Sequence, residues 1–160
     1  MLSLRESVSL PHRILVVDDE TDILDIVTSV LQKQGYHVSG ANDGEQALQM
    51  AELETSDLVL LDIVMPGKSG LEICKILKAQ PRTRHLQVIM LSALNRDVDR
   101  KMITEVGADG HIVKPFAIED LAREIGQFLK KAEKDKFSRR LGLAHKDLRG
   151  TPILLEYDAS

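Results

Sequence analysis

The chain has 160 residues, 43% of them apolar, which fits one domain with a proper core plus a short appendage. A single cysteine, Cys74, excludes an internal disulfide and a cysteine-rich metal site, and no N-terminal apolar run precedes a small-residue cleavage site, so a cytoplasmic protein is expected. No apolar run approaches the roughly 20 residues that span a bilayer, so no membrane partner is expected. Residues 130–149 carry eight basic and three acidic side chains, a net of +5 that leaves −9 for the remainder, and an acidic body disfavours direct nucleic-acid binding.

From residue 13 onward, short runs rich in leucine and β-branched residues alternate with longer amphipathic stretches, which predicts a parallel sheet covered by helices. Strands are expected over 13–17, 36–41, 58–61, 87–91 and 110–113. A first helix carries Ile23 to Leu31 and stops at Gly35, and further helices are expected over 44–53, 71–79, 97–106 and 118–132. The fold class is therefore α/β, a flavodoxin-like doubly wound sheet of five parallel strands with five helices, for which 2-1-3-4-5 is the common strand order.

Carboxylates follow two of the predicted strands. In a sheet of this kind ligands bind beyond the carboxyl ends of the strands, at the switch point between strands one and three, and those ends carry Asp18, Asp19 and Asp62. Three converging carboxylates repel one another, so the cluster needs either a cation or one protonated group. Mg²⁺ is the simpler answer, since it prefers oxygen ligands and keeps waters that phosphate oxygens can replace. The plainer alternative is helix capping with a surface ion pair.

Four motifs stand at successive strand ends. They are Val-Val-Asp-Asp-Glu over 16–20, Leu-Leu-Asp-Ile-Val-Met-Pro-Gly over 60–67, Leu-Ser-Ala over 91–93 and Lys-Pro-Phe over 114–116. Together they resemble the receiver domain of two-component response regulators over roughly 11–132. The resemblance implies a phosphorylation-dependent signalling switch rather than a conventional enzyme. It also implies a sensor histidine kinase or phosphotransfer protein as one partner and an unknown output partner as another.

The resemblance implies a role for each matching residue. Asp62 would accept the phosphoryl group, and Mg²⁺ would be bound by Asp19 and Asp62, by Asp18 through water and by the backbone carbonyl of Val64. Lys114 would pair with Asp62 and then with phosphate. Phosphoryl transfer needs mainly in-line positioning and neutralised charge, which one cation and one ammonium supply.

The switch is expected to pass through Ser92, whose hydroxyl would turn toward the phosphoryl group, to a face made by helix four, strand five and helix five. The Lys114–Pro115 bond resembles the family's cis peptide. The family usually has an aromatic ring where this chain has His111. An imidazole could serve as the switch residue, and the alternative is a partly exposed polar residue on an edge strand.

Residues 133–160 are predicted to form a basic linker, which could also contact phosphates or headgroups. Residues 152–157 read as a lone strand with no partner, although a single strand cannot bury its apolar side chains alone. It would dock on the receiver, pair between chains or begin a further domain, and the last is favoured. The chain would then be the receiver part of a larger regulator or hybrid kinase, and a homodimer is an open alternative.

Two rival functions remain at this stage. An Asp-nucleophile phosphatase or mutase usually has a second aspartate two residues beyond the nucleophile, where this chain has Val64. A flavodoxin-like cofactor carrier is disfavoured, because Asp18, Asp19 and Glu20 make an anionic edge that repels a flavin phosphate.

Overall fold

The computed structural model describes residues 11–93, 97–141, 143–146 and 152–154. By its internal contacts the chain divides into two units, 1–124 and 125–160. The first unit contains a five-stranded parallel sheet in the order β2-β1-β3-β4-β5, as predicted. Its strands are β1 (Arg13–Val17), β2 (His37–Ala41), β3 (Leu58–Asp62), β4 (Gln87–Ser92) and β5 (Gly110–Val113). The helices are α1 (Thr21–Lys33), α2 (Gly44–Leu53), α3 (Gly70–Ala79), α4 (Asp97–Glu105) and α5 (Ile118–Arg140), which begins in the first unit and ends in the second.

Strand β3 is the centre of the sheet. All five of its residues are buried, and it pairs with β1 on one side and β4 on the other. A parallel strand covered by helices on both faces needs apolar side chains at nearly every position, and Leu58 to Leu61 supply them. The prediction of a central third strand is confirmed, and it places Asp62 at the middle of the carboxyl edge.

Helices α1, α2 and α3 have defined ends. Gly35 has φ +94°, a left-handed conformation that favours glycine, and it ends α1 as predicted. The Asp43 carboxylate accepts a hydrogen bond from the Gln46 N–H at 2.7 Å and caps α2. The Ser69 hydroxyl accepts from the Glu72 N–H at 3.3 Å and caps α3, which begins one residue earlier than predicted. None of the described helices is long and apolar enough to cross a membrane.

The second unit differs from the sequence-based expectation. Helix α5 continues past residue 132 to Arg140, and β6 (Leu143–Lys146) pairs antiparallel with β7 (Pro152–Leu154). The prediction of a lone strand without a partner is therefore wrong for 152–154, and 155–157 lie outside the described residues. An unpaired strand leaves its backbone N–H and C=O groups without partners, and the preceding segment supplies them here.

Candidate functional site

The three predicted aspartates meet at the carboxyl edge of the sheet. Asp18 follows β1 and Asp62 ends β3, and these two strands pair directly, with Val17 opposite Leu61. Each of Asp18, Asp19 and Asp62 offers a carboxylate oxygen within 4.8 Å of the others. Asp18 and Asp62 are buried, whereas Asp19 is exposed. The structure therefore brings together the three side chains that the strand ends predicted.

Lys114 lies between two of these carboxylates. Its Nζ is 3.3 Å from Asp62 Oδ2 and 3.4 Å from Asp18 Oδ2. Its backbone N–H donates to the Ser92 carbonyl at 2.8 Å, which ties the end of β5 to the end of β4. The Lys114–Pro115 peptide bond is cis. One ammonium thus serves a cluster of three carboxylates, which leaves the site with an excess of negative charge.

The titration of the site reflects this excess. Burial raises the pKa of Asp62, and the negative charge of Asp18 adds to that, while the nearby Lys114 opposes it without cancelling it. Burial by itself would lower the pKa of Lys114, but the charges of Asp62 and Asp18 outweigh burial and raise it. The ammonium is therefore well stabilised, whereas the Asp62 carboxylate is under-compensated.

Backbone contacts orient both buried carboxylates. Asp18 Oδ1 accepts the Glu20 N–H at 2.9 Å, and Asp62 Oδ1 accepts the Val64 N–H at 3.3 Å. In each group one oxygen is held by the chain and the other faces Lys114. Oxygen donors of this kind suit a hard divalent cation such as Mg²⁺, so the residues present fit the metal that the sequence predicted.

The remaining predicted residues lie around this cluster. Ser92 is buried at the end of β4, and the side chain of Val64 is exposed beyond β3. His111 lies half-buried on edge strand β5 and lines a cavity of about 400 Å³ together with Phe116, Arg123 and other residues at the start of α5. Cys74 is buried on α3 among core residues, and burial raises its pKa to about 11.

An apolar cleft beside the site went unpredicted. Its volume is about 440 Å³, and Lys114 lines it as well as the aspartate cluster. The other lining residues are Ile23, Ile26, Val27, Ala93, Pro115, Phe116 and Ile118. Both isoleucines lie in predicted amphipathic helices, whose apolar side chains usually pack on the core, yet Ile26 is 51% exposed and Ile118 is 43% exposed. The sequence feature that could have predicted the cleft is the width of the apolar stripe on α1, because this stripe is wider than the part of the helix that packs on the core.

Known proteins share this arrangement of strands and motifs. The sequence model of the family described as "Response regulator receiver domain" matches residues 14–126. The chain belongs to the response regulator receiver family. Receiver domains act in two-component signalling rather than as classical enzymes, they interact with histidine kinases or phosphotransfer proteins, and they bind Mg²⁺ at an acidic pocket. In this chain, Asp18, Asp19 and Asp62 form an acidic cluster whose carboxylate oxygens lie close enough together to hold a metal ion.

Individual relatives agree with the family match. The chain is 37% identical over 121 residues to the alkaline phosphatase synthesis transcriptional regulatory protein PhoP of Bacillus subtilis (strain 168), covering 76% of this chain and 50% of that protein. It therefore spans about half the length of this curated relative. Among solved structures, a CheY-like receiver domain protein from Methanospirillum hungatei JF-1 is 31% identical with a TM-score of 0.73, covering 78% and 98% of the two chains. The Thermotoga maritima OmpR/PhoB homologue DrrB is 35% identical with a TM-score of 0.69, covering 76% and 54%.

Proposed function

We propose that this receiver domain is a phosphorylation-driven switch in which Asp62 accepts a phosphoryl group from a phosphohistidine of a sensor histidine kinase or phosphotransfer protein. The observation that carries the proposal is the convergence of Asp62, two further aspartates and Lys114 at the end of the central strand. An aspartate oxygen attacks the phosphorus in line, a P–O bond forms, and the P–N bond to histidine breaks. The leaving imidazole keeps the electron pair of that bond.

Mg²⁺ is proposed as the cofactor of this step. Asp19 and Asp62 would hold it through carboxylate oxygens, Asp18 through a water and Val64 through its backbone carbonyl. When bound, the cation neutralises negative charge on the phosphoryl oxygens. The under-compensated charge of Asp62 supports the assignment, because the carboxylate needs a second positive partner besides Lys114.

Lys114 and Ser92 would bind the transferred group. The Lys114 ammonium already contacts Asp62. A short movement would therefore bring it to an oxygen of a phosphoryl group bonded to the same carboxylate. The Ser92 hydroxyl stands at the neighbouring strand end and would donate to another phosphoryl oxygen. Both groups place positive or donor character where the transferred group carries its negative charge.

The phosphodonor protein is proposed to cover the apolar cleft formed by α1, the β5–α5 connection and Ala93. Lys114 lines this cleft and also contacts Asp62, so a partner that reaches Asp62 lies directly over it. Burial of the exposed side chains of Ile26 and Ile118 would stabilise such a complex.

The output signal is proposed to leave through the face made by α4, β5 and the first turns of α5. His111 would act as the switch residue, because it lies three positions before Lys114 on β5 and borders the cavity at the start of α5. The plainer alternative is that His111 is simply a half-exposed histidine on an edge strand. Its burial fits both roles equally well. The output partner is unknown, and a homodimer is an open alternative.

The boundaries of this module are also proposed. Residues 11–132 would form the receiver, with 133–160 a basic connection to a further domain of a longer regulator or hybrid kinase. The half-length match to the Bacillus subtilis regulator supports this arrangement. A cytoplasmic location is proposed as well, since it suits the free thiol of Cys74.

Intact-mass analysis after treatment with acetyl phosphate and Mg²⁺ tests the acceptor. Wild type is expected to gain one phosphoryl group, Asp62→Ala to gain none, and Asp25→Ala, which alters an exposed aspartate on α1, to match wild type. Beryllofluoride with Mg²⁺ should bind wild type and fail to bind Asp62→Ala. Labelling of Asp62→Ala would refute the assignment, and steady turnover of a phosphate ester would favour the rival phosphatase.

A further inference from the structure

The first residue of α3 lies against the peptide group of the proposed phosphoacceptor. Gly70 opens this helix, and a Cβ added to it would lie 2.1 Å from the Asp62 carbonyl oxygen and 2.8 Å from the Asp62 carbonyl carbon. The same Cβ would lie 2.9 Å from the Cα of Ile63. All three neighbours are backbone atoms of β3 and its extension, so none of them can rotate away as a side-chain tip would.

Hydrogen bonds hold this backbone in one orientation. The Gly70 N–H donates to the Ile63 carbonyl at 2.8 Å, and the Ile63 N–H donates to the Leu91 carbonyl at 3.1 Å. The Val64 N–H donates to Asp62 Oδ1 at 3.3 Å. The chain between Asp62 and Val64 is therefore held between β4 on one side and the start of α3 on the other.

An added methyl group at Gly70 cannot be absorbed locally. An ordinary van der Waals contact of a Cβ begins at 3.4 Å, whereas a Cβ at Gly70 would lie only 2.1 Å from the Asp62 carbonyl oxygen. Either the Asp62 peptide or the start of α3 must then move by more than about 1 Å, a displacement on the scale that costs about 10²-fold in reactions requiring in-line geometry.

We propose that Gly70 is a positioning residue for phosphoryl transfer. By lacking a side chain, it allows α3 to pack directly on the Asp62 peptide and so holds the backbone that carries the Asp62 carboxylate and leads to Val64. This inference rests on the proposed function of Asp62. It assigns no contact between Gly70 and the phosphodonor.

Two other glycines in this region provide matched controls. A Cβ at Gly44, the buried first residue of α2, would lie 2.7 Å from Cδ1 of Ile73, the flexible end of a side chain on α3. Gly67 lies in the same loop as the site and has φ +78°, but a Cβ there would meet nothing within 4 Å. Gly44→Ala therefore tests helix packing, and Gly67→Ala tests backbone strain in the loop.

The experiment compares the three alanine variants with wild type in the full chain. Two quantities are measured: the phosphorylation rate with acetyl phosphate at saturating Mg²⁺, by intact mass, and the Kd for Mg²⁺, by calorimetry. For Gly70→Ala we expect the rate to fall about 100-fold and the Kd to rise about tenfold or more, as when a group that orients metal ligands is lost. Gly44→Ala and Gly67→Ala should unfold at lower denaturant concentrations yet keep rates and Kd values close to wild type.

A second pair of variants decides the matter if Gly70→Ala does not fold. Ser69→Ala removes the cap of α3, and Asp43→Ala removes the matching cap of α2. Ser69→Ala should slow phosphorylation several-fold, whereas Asp43→Ala should leave the rate unchanged. The inference is overturned if folded Gly70→Ala reacts like Gly44→Ala, or if the two cap variants react alike. Failure of wild type itself to be labelled would instead refute the proposed function, and the Mg²⁺ Kd values would then show only whether Gly70 orients the Mg²⁺ ligands.

Discussion

Two lysine–aspartate arrangements lie at opposite ends of the parallel sheet. At the amino ends of the strands, Lys78 Nζ is 2.7 Å from Asp109 Oδ2 and 2.7 Å from the Leu86 carbonyl, and the same Asp109 oxygen accepts the Val88 N–H at 2.8 Å. At the carboxyl ends, Lys114 lies 3.3 Å and 3.4 Å from the carboxylates of Asp62 and Asp18.

The two arrangements differ in how completely their charges are balanced. Lys78 and Asp109 form a neutral pair with short hydrogen bonds, and this pair links α3 to the starts of β4 and β5. Lys114 is shared between two buried carboxylates with a third nearby, so its contacts are longer and negative charge is left over. A balanced pair stabilises the fold, whereas an unbalanced cluster costs stability but can bind a cation and then a phosphoryl group.

Replacing each lysine by alanine should separate these two roles most strongly. Lys114→Ala is expected to slow phosphorylation by about 100-fold or more, because one preorganised donor to the developing charge is lost. Lys78→Ala should leave the rate unchanged and lower the free energy of unfolding by about 1 kcal/mol, the usual net contribution of an intramolecular hydrogen bond. Time courses by intact mass measure the phosphorylation rates, and urea unfolding measures the stabilities. Equal phosphorylation rates in the two variants would contradict the assignment of separate roles to the two lysines.

Mg²⁺ should stabilise only the unbalanced cluster. At a concentration one hundred times its Kd, a ligand that binds the folded state alone adds about 2.7 kcal/mol, which corresponds to a rise in Tm of about 5–10 °C for a chain of this size. Asp19→Asn should lose most of this rise because a proposed ligand is gone, while Asp109→Asn should keep it. Thermal unfolding with and without Mg²⁺ gives the answer, and an identical rise in Asp19→Asn would count against the site.

The dependence of stability on pH should differ between wild type and Asp62→Asn in the absence of Mg²⁺. The raised pKa of Asp62 means that the folded chain holds this proton more tightly than the unfolded chain, so ionisation of Asp62 lowers stability as the pH rises. The stability of Asp62→Asn should therefore rise relative to that of wild type from about pH 4 upward, and this stability gain should level off once the pH exceeds the folded-state pKa of Asp62.

Urea unfolding at a series of pH values measures this difference. Asp25→Asn, on the exposed side of α1, should run parallel to wild type and serves as the control. If the free energy of unfolding of Asp62→Asn exceeded that of wild type by as much at pH 3 as at pH 7, the charge of Asp62 would not be the cause.

Local patterns in the sequence determined much of the fold. The continuous apolar run of 58–61 predicted a central strand, and Gly35 marked the end of α1, because burial on both faces and a left-handed backbone each demand particular residues. The order of four motifs at strand ends also predicted which side chains share one edge. That shared edge predicts the grouping of Asp18, Asp19 and Asp62, since the carboxyl ends of parallel strands necessarily meet, whereas the role of Lys114 follows from the resemblance to receiver domains.

Only the tertiary structure decided how those groups share charge. Lys114 and Asp18 are 96 positions apart in sequence. No sequence pattern predicts that the Lys114 ammonium lies almost equally far from the carboxylates of Asp18 and Asp62. The exposure of Ile26, the pairing of β7 with β6 and the packing of Gly70 on the Asp62 peptide were likewise unpredicted. Sequence patterns report local conformation and chain order, whereas these features depend on which atoms of distant segments occupy the same space.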